Sequence, residues 1–83
     1  PSQWEGKLKN NDVIYIRYRY GIFTISIDKD IETAIKNPRI FYRQLIGTDL
    51  DGDMDDYTLI EILLNMNFVF DQSLLEHLLL IKE

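Results

Sequence analysis

Between Val13 and Ile27 the chain reads VIYIRYRYGIFTISI, with apolar side chains at every second position on either side of Gly21. Ile14, Ile16, Tyr18 and Tyr20 form one set, and Phe23, Ile25 and Ile27 form the other. Side chains along a strand alternate between faces with a period of two, so each run presents one apolar face. The opposite faces carry Val13, Tyr15, Arg17 and Arg19, then Thr24, Ser26 and Asp28, with Ile22 as an apolar exception. Gly21 supplies a residue able to take positive φ where a hairpin must turn. The two sets differ in parity, so only a register that pairs odd with even numbers brings both to one core. A type II′ turn at Gly21-Ile22 meets that condition. It predicts Tyr20 opposite Phe23, Tyr18 opposite Ile25 and Ile16 opposite Ile27. A hairpin alone is marginal in water, so the rest of the chain must cover its apolar face.

Trp4, Gly6 and Leu8 alternate with Glu5, Lys7 and Lys9, and Asn10-Asn11-Asp12 follows with turn chemistry. This predicts a first strand over residues 3–9, with Trp4 across from Tyr18. After the hairpin, Asp30 is placed to cap a short helix from Ile31 to Lys36, burying Ile31, Ala34 and Ile35. Asn37-Pro38 interrupts it, and Pro38 suits the first turn of a second helix running to Ile46 and stopped by Gly47. In that helix Ile40, Phe41 and Leu45 would face inward, and Arg39 and Arg43 outward. Helix resumes near Asp56, with Asp55 or Asp56 as its cap. Tyr57, Ile60, Leu63 and Leu64 recur at helical spacing, and Leu59, Ile62 and Met66 widen the stripe. Such a helix is either largely buried or presents a spare apolar face to a partner. Phe68-Val69-Phe70 reads as an extended link. Ser73 with Glu76 reads as a capping box opening a last helix through Leu74, Leu75, Leu78, Leu79 and Ile81.

These segments make one α+β domain spanning residues 1–83. It is an antiparallel three-stranded meander over residues 3–9, 13–20 and 23–28, with three to four short helices packed on one face. A chain of 83 residues with 46% hydrophobic content supports one core and no second domain. It contains no cysteine, so disulfides and thiolate metal sites are excluded, and a cytoplasmic setting is expected. No apolar run approaches the roughly 20 residues a membrane helix needs.

Charge is divided along the chain. Residues 1–48 hold eight lysines and arginines against five acids, a net of +3, whereas residues 49–83 hold one lysine against nine acids, a net of −8. Such a split can steer a partner of opposite charge or pair internally.

The densest acidic stretch, TDLDGDMDD, places Asp49, Asp51, Asp53, Asp55 and Asp56 within eight positions. Alternating aspartates are how calcium loops gather oxygen ligands, which makes Asp49, Asp51, Asp53 and Asp55 candidates for calcium or magnesium. Counted from Asp49, however, Met54 stands where an EF-hand needs glycine, and the twelfth position is Ile60, one before Glu61. The segment IGTDLDGD also resembles the DxDG motif of haloacid-dehalogenase-like phosphatases, which would make Asp49 a nucleophile and Asp51 a general acid or base. The likeness ends at Gly52: Asp53 replaces the usual threonine, and only Lys82 follows as a lysine.

His77, the sole histidine, has no cysteine and no evident serine partner, and is expected on the polar side of the last helix. No phosphate-binding loop, dinucleotide fingerprint or nucleophile elbow occurs. The expectation is a non-catalytic, cofactor-free protein-binding module, an inhibitor or adaptor. Its binding residues would be Asp49, Asp51, Asp53, Asp55, Asp56 and Glu61, set against a basic partner in the manner of a nucleic-acid mimic. The alternative face is Tyr15, Arg17 and Arg19 beside Lys7 and Lys9, which suits an acidic protein and, less well in so acidic a chain, single-stranded nucleic acid.

Overall fold

Strands β2 (Val13–Arg19) and β3 (Ile22–Asp28) form the expected hairpin, in a computed structural model that describes residues 1–66, 71–76 and 78–83. Ile14, Ile16, Tyr18, Phe23, Ile25 and Ile27 are all buried together. The turn differs from the expectation. Tyr20 and Gly21 both take positive φ, 54° and 73°, as the central pair of a type I′ turn does. Arg19 therefore pairs with Ile22, Tyr18 with Phe23 and Ile16 with Ile25. The parity argument holds, but the register moves by two residues and leaves Tyr20 exposed. Parity decides which faces meet; the turn chooses among the registers that parity allows. Here the turn is gripped from outside. The Gly21 N–H donates to the Asp51 carbonyl at 2.7 Å, and the Gly21 carbonyl accepts from Ile46 N at 2.9 Å and Gly47 N at 3.1 Å. A Cβ at Gly21 would stand 2.3 Å from the Thr48 carbonyl oxygen, so no side chain fits there.

Strand β1 (Ser2–Lys7) pairs antiparallel with β2, again two residues from the expected register, with Trp4 opposite Ile16. The connection is longer than three residues because Leu8 and Lys9 belong to it. Leu8 N donates to Asp12 O at 2.8 Å, Asn11 N donates to Leu8 O at 3.0 Å, and Asn11 takes a φ of 70°. Helix α1 (Ile31–Lys36) forms as expected, with Asp30 Oδ1 accepting from Thr33 N at 2.8 Å. Ala34 is buried and Ile31 half-buried, but Ile35 is exposed.

One expected helix is a strand, and another gives way to a 3₁₀ turn followed by a strand. Residues Ile40–Leu45 form β4, antiparallel to β3, with Ile40 opposite Ile27 and Tyr42 opposite Ile25. A six-residue segment rich in β-branched and aromatic residues fits either period, and the unpaired edge of β3 offers a hydrogen-bond ladder that decides the matter. Arg39 anchors the strand's entry, its N–H donating to Asp28 Oδ2 at 2.8 Å and its guanidinium pairing with Asp12. Near the end of the chain a 3₁₀ turn (Gln72–Leu75) forms, capped by Asp71, whose side chain accepts from Ser73 N. Glu76 does not close a capping box; it pairs with Lys9 at 3.0 Å. Residues Leu79–Lys82 then form β5 on the outer edge of β1. The expected link at Phe68-Val69-Phe70, and His77, lie outside the described residues.

The sheet order is β4-β3-β2-β1-β5, antiparallel throughout. The α+β class stands, with five strands in place of three and two helices in place of three to four among the described residues. Helix α2 (Asp56–Leu64) contributes Leu59 and Leu63 to one cluster with Trp4, Ile14, Ile16, Phe23 and Met54. Val13 and Ala34 are buried outside that cluster, and α1 contacts β2 and β3. Among the described residues, no helix is long and apolar enough to cross a membrane.

Candidate functional site

The acidic segment is stitched to the sheet by its own side chains. Asp51 Oδ2 accepts from Thr48 N at 2.9 Å, while the Asp51 carbonyl holds the β2–β3 turn. Asp55 caps α2, its Oδ1 accepting from Thr58 N at 2.7 Å, and that bond holds its carboxyl below the ordinary value. Asp56 Oδ1 accepts from the Trp4 indole N–H at 3.0 Å. Between them Met54 is buried; its N–H donates to Ser2 Oγ at 3.0 Å, and its carbonyl accepts from Lys82 Nζ at 2.9 Å. Lys82 also lies over the Trp4 ring, 5.3 Å from its centroid. Burial, with the Asp51 carboxylate adding to it, raises the Tyr18 hydroxyl above its ordinary value of 10.0.

Three of the six expected binding acids thus have positions within the fold. Asp49, Asp53 and Glu61 are exposed, and their carboxylates take no hydrogen bond or ion pair among the described residues. No group of three carboxylates able to hold a metal ion occurs among the described residues. The alternation of Asp49, Asp51, Asp53 and Asp55 therefore finds no convergent ligand set. Asp51 and Asp55 point to backbone amides instead.

Helix α2 presents more than charge. With its first turn fixed by Asp56 against Trp4, Leu59 and Leu63 turn inward and Met66 follows them into the core. Of the expected stripe only Leu63 is buried, whereas two of the three residues expected to widen it, Leu59 and Met66, are buried and Ile62 is half-buried. Tyr57, Ile60 and Leu64 remain exposed at 87%, 49% and 58%. Positions three and four apart share a helix face, so these three form one outer stripe with Glu61 beside it. Ile60 and Leu64 also line an apolar cavity of about 330 Å³, whose further walls include Trp4, Leu75, Leu78 and Leu80 and whose polar group is Asp56.

The opposite face of the sheet carries the alternative residues, and the register gathers them in rows. Gln3, Arg17, Thr24 and Arg43 stand side by side across four strands. Glu5, Tyr15, Ser26 and Phe41 form the next row, and Arg19, Ile22 and Leu45 the row on the other side. Tyr15 donates its hydroxyl hydrogen to Gln3 Oε1 at 3.0 Å, and Arg19 lies over the Tyr20 ring at 4.5 Å. Arg17 Nε is buried with no hydrogen-bond partner among the described residues. Phe41 and Leu45 are exposed. Sequence reasoning missed Phe41, Arg43 and Leu45 because it placed them on a helix. Their alternation with Ile40, Tyr42 and Gln44 was the signal available.

Compared with family models, curated proteins and solved structures, the chain gives no match.

Proposed function

We propose that this domain is a non-catalytic protein-binding module, an inhibitor or adaptor, whose docking surface is the acidic outer side of α2. The observation that carries the reading is the exposed stripe of Tyr57, Ile60 and Leu64, which opens onto an apolar cavity, with the uncommitted carboxylate of Glu61 on the same helix and that of Asp53 three residues ahead of its start. Large apolar side chains aligned on a surface mark contact sites more often than scattered ones do. The carboxylates select a basic partner and steer its approach; the stripe and cavity take an apolar anchor from it. A basic groove that otherwise holds nucleic acid has this chemistry, which is how such a module would inhibit.

The test uses the partner captured from the native host. Asp53→Asn with Glu61→Gln should slow association and weaken its dependence on salt, because exposed charges act mainly on encounter. Tyr57→Ala with Leu64→Ala should speed dissociation and cost tenfold or more in affinity, about 1.4 kcal/mol. Both pairs are exposed, so melting curves should stay close to those of the unaltered protein. Unchanged binding in both variants would refute the reading. Loss of binding on changes at Tyr15 and Arg17 alone would move the site to the opposite face.

A further inference from the structure

The surface on α2 calls for a basic partner with apolar anchors, and the sheet face opposite the core, buried at Val13 and Ser26 but exposed at Arg19, Phe41, Arg43 and Leu45, has that composition. In a chain of net charge −5, this face carries Lys7, Arg17, Arg19 and Arg43 against Glu5 and Asp28, with Phe41 and Leu45 exposed beside them. The dimensions agree as well. From Tyr57 to Leu64 a helix rises about 10 Å, and Arg17 and Arg43, two strands apart, are also about 10 Å apart. One copy cannot satisfy itself, because Leu59 and Leu63 pack α2 onto the face of the sheet opposite to Arg17 and Arg43.

We propose that a second copy of this chain is a partner of the α2 surface, with Tyr57, Ile60 and Leu64 of one copy seated on the Arg17–Thr24–Arg43 row of the next and flanked by Phe41 and Leu45. This rests on the reading of α2 as a docking surface. The two surfaces differ and lie on opposite sides of the sheet. The contact is therefore heterologous, and copies add head to tail, closing to a ring or extending as a filament. Asp53 and Glu61 meet the guanidinium groups, and salt weakens the assembly.

Sedimentation of the whole chain at low salt, from micromolar to near-millimolar concentration, tests it. Mass should grow with concentration and fall back toward the monomer when salt is raised. Arg43→Glu with Leu45→Asp removes the acceptor surface, and Asp53→Lys with Glu61→Lys removes the donor. Each variant alone should stay monomeric, with its circular dichroism unchanged. Mixed in equal amounts they still offer one intact donor and one intact acceptor, so they should form dimers and nothing larger.

A wild type that stays monomeric throughout overturns the proposal. The α2 reading would then survive only if the α2 variants still lose the captured host partner. Association abolished by the sheet variant but untouched by the α2 variant means a sheet-to-sheet contact and also overturns it. A labelled single-stranded oligonucleotide bound by a monomeric wild type, but not by the sheet variant, assigns the Arg17–Arg43 row to nucleic acid instead.

Discussion

Tyr20 is the residue at which this chain departs furthest from local preference. Its φ of 54° lies in the left-handed region, which a side chain with Cβ enters at a cost and which asparagine tolerates better. The cost is offset in part by Arg19, whose Nη2 donates to the Tyr20 hydroxyl at 2.7 Å while its guanidinium lies over the ring. Both groups are exposed, so that contact is weak. Tyr20→Asn should therefore place the favoured Asn-Gly pair in the type I′ turn and raise stability by about 0.5–1 kcal/mol. Urea unfolding reads it directly. A loss of stability would show that the Arg19 contact, and not backbone strain, governs the turn.

At the scale of elements, carboxylates determine where helical turns begin. Asp30, Asp55 and Asp71 accept backbone N–H bonds from Thr33, Thr58 and Ser73, and these bonds hold all three carboxyls below their ordinary value of 3.8. A group whose folded value is depressed lends stability that is complete above its unfolded value and is lost as pH falls through the folded one. The melting temperature should thus drop as pH is lowered below 3.8, the ordinary carboxyl value. Asp55→Asn keeps a good cap without a titrating group, so that variant should match the wild type near neutrality and lose less in acid. Asp55→Ala should be the less stable at neutral pH. Equal acid sensitivity in wild type and Asp55→Asn would remove the cap from the explanation.

The cap at Asp30 was legible in the sequence, and that of α2 to within Asp55 or Asp56, because caps depend on a few neighbouring residues. The hairpin was legible for the same reason, up to a register that parity leaves open by steps of two. Strands β4 and β5 were not. Ile40–Leu45 and Leu79–Lys82 are short enough to satisfy either period, and the vacant edges of β3 and β1 settled which was adopted. The candidate site was legible as a stretch, not as a set of residues. Long-range bonds such as Trp4 to Asp56 and Ser2 to Met54 decide which acids remain uncommitted and which side of α2 is left outside.

For the whole molecule, the densest acidic stretch of the chain and the arginines of its strands lie on opposite sides of one sheet. The acidic segment and α2 cover the face that holds the core, and the arginines of β2 and β4 line the other. The proposed function rests on these two surfaces and on the complementarity between them. Amide chemical shifts followed across a concentration series at low salt test it most directly. Signals of Tyr57, Ile60, Glu61 and Leu64 should move in step with those of Arg17, Phe41, Arg43 and Leu45, with one dissociation constant fitting both groups, while Trp4 and Ile16 stay still. Shifts confined to one group, or centred on Leu79 and Ile81 at the β5 edge, would contradict it.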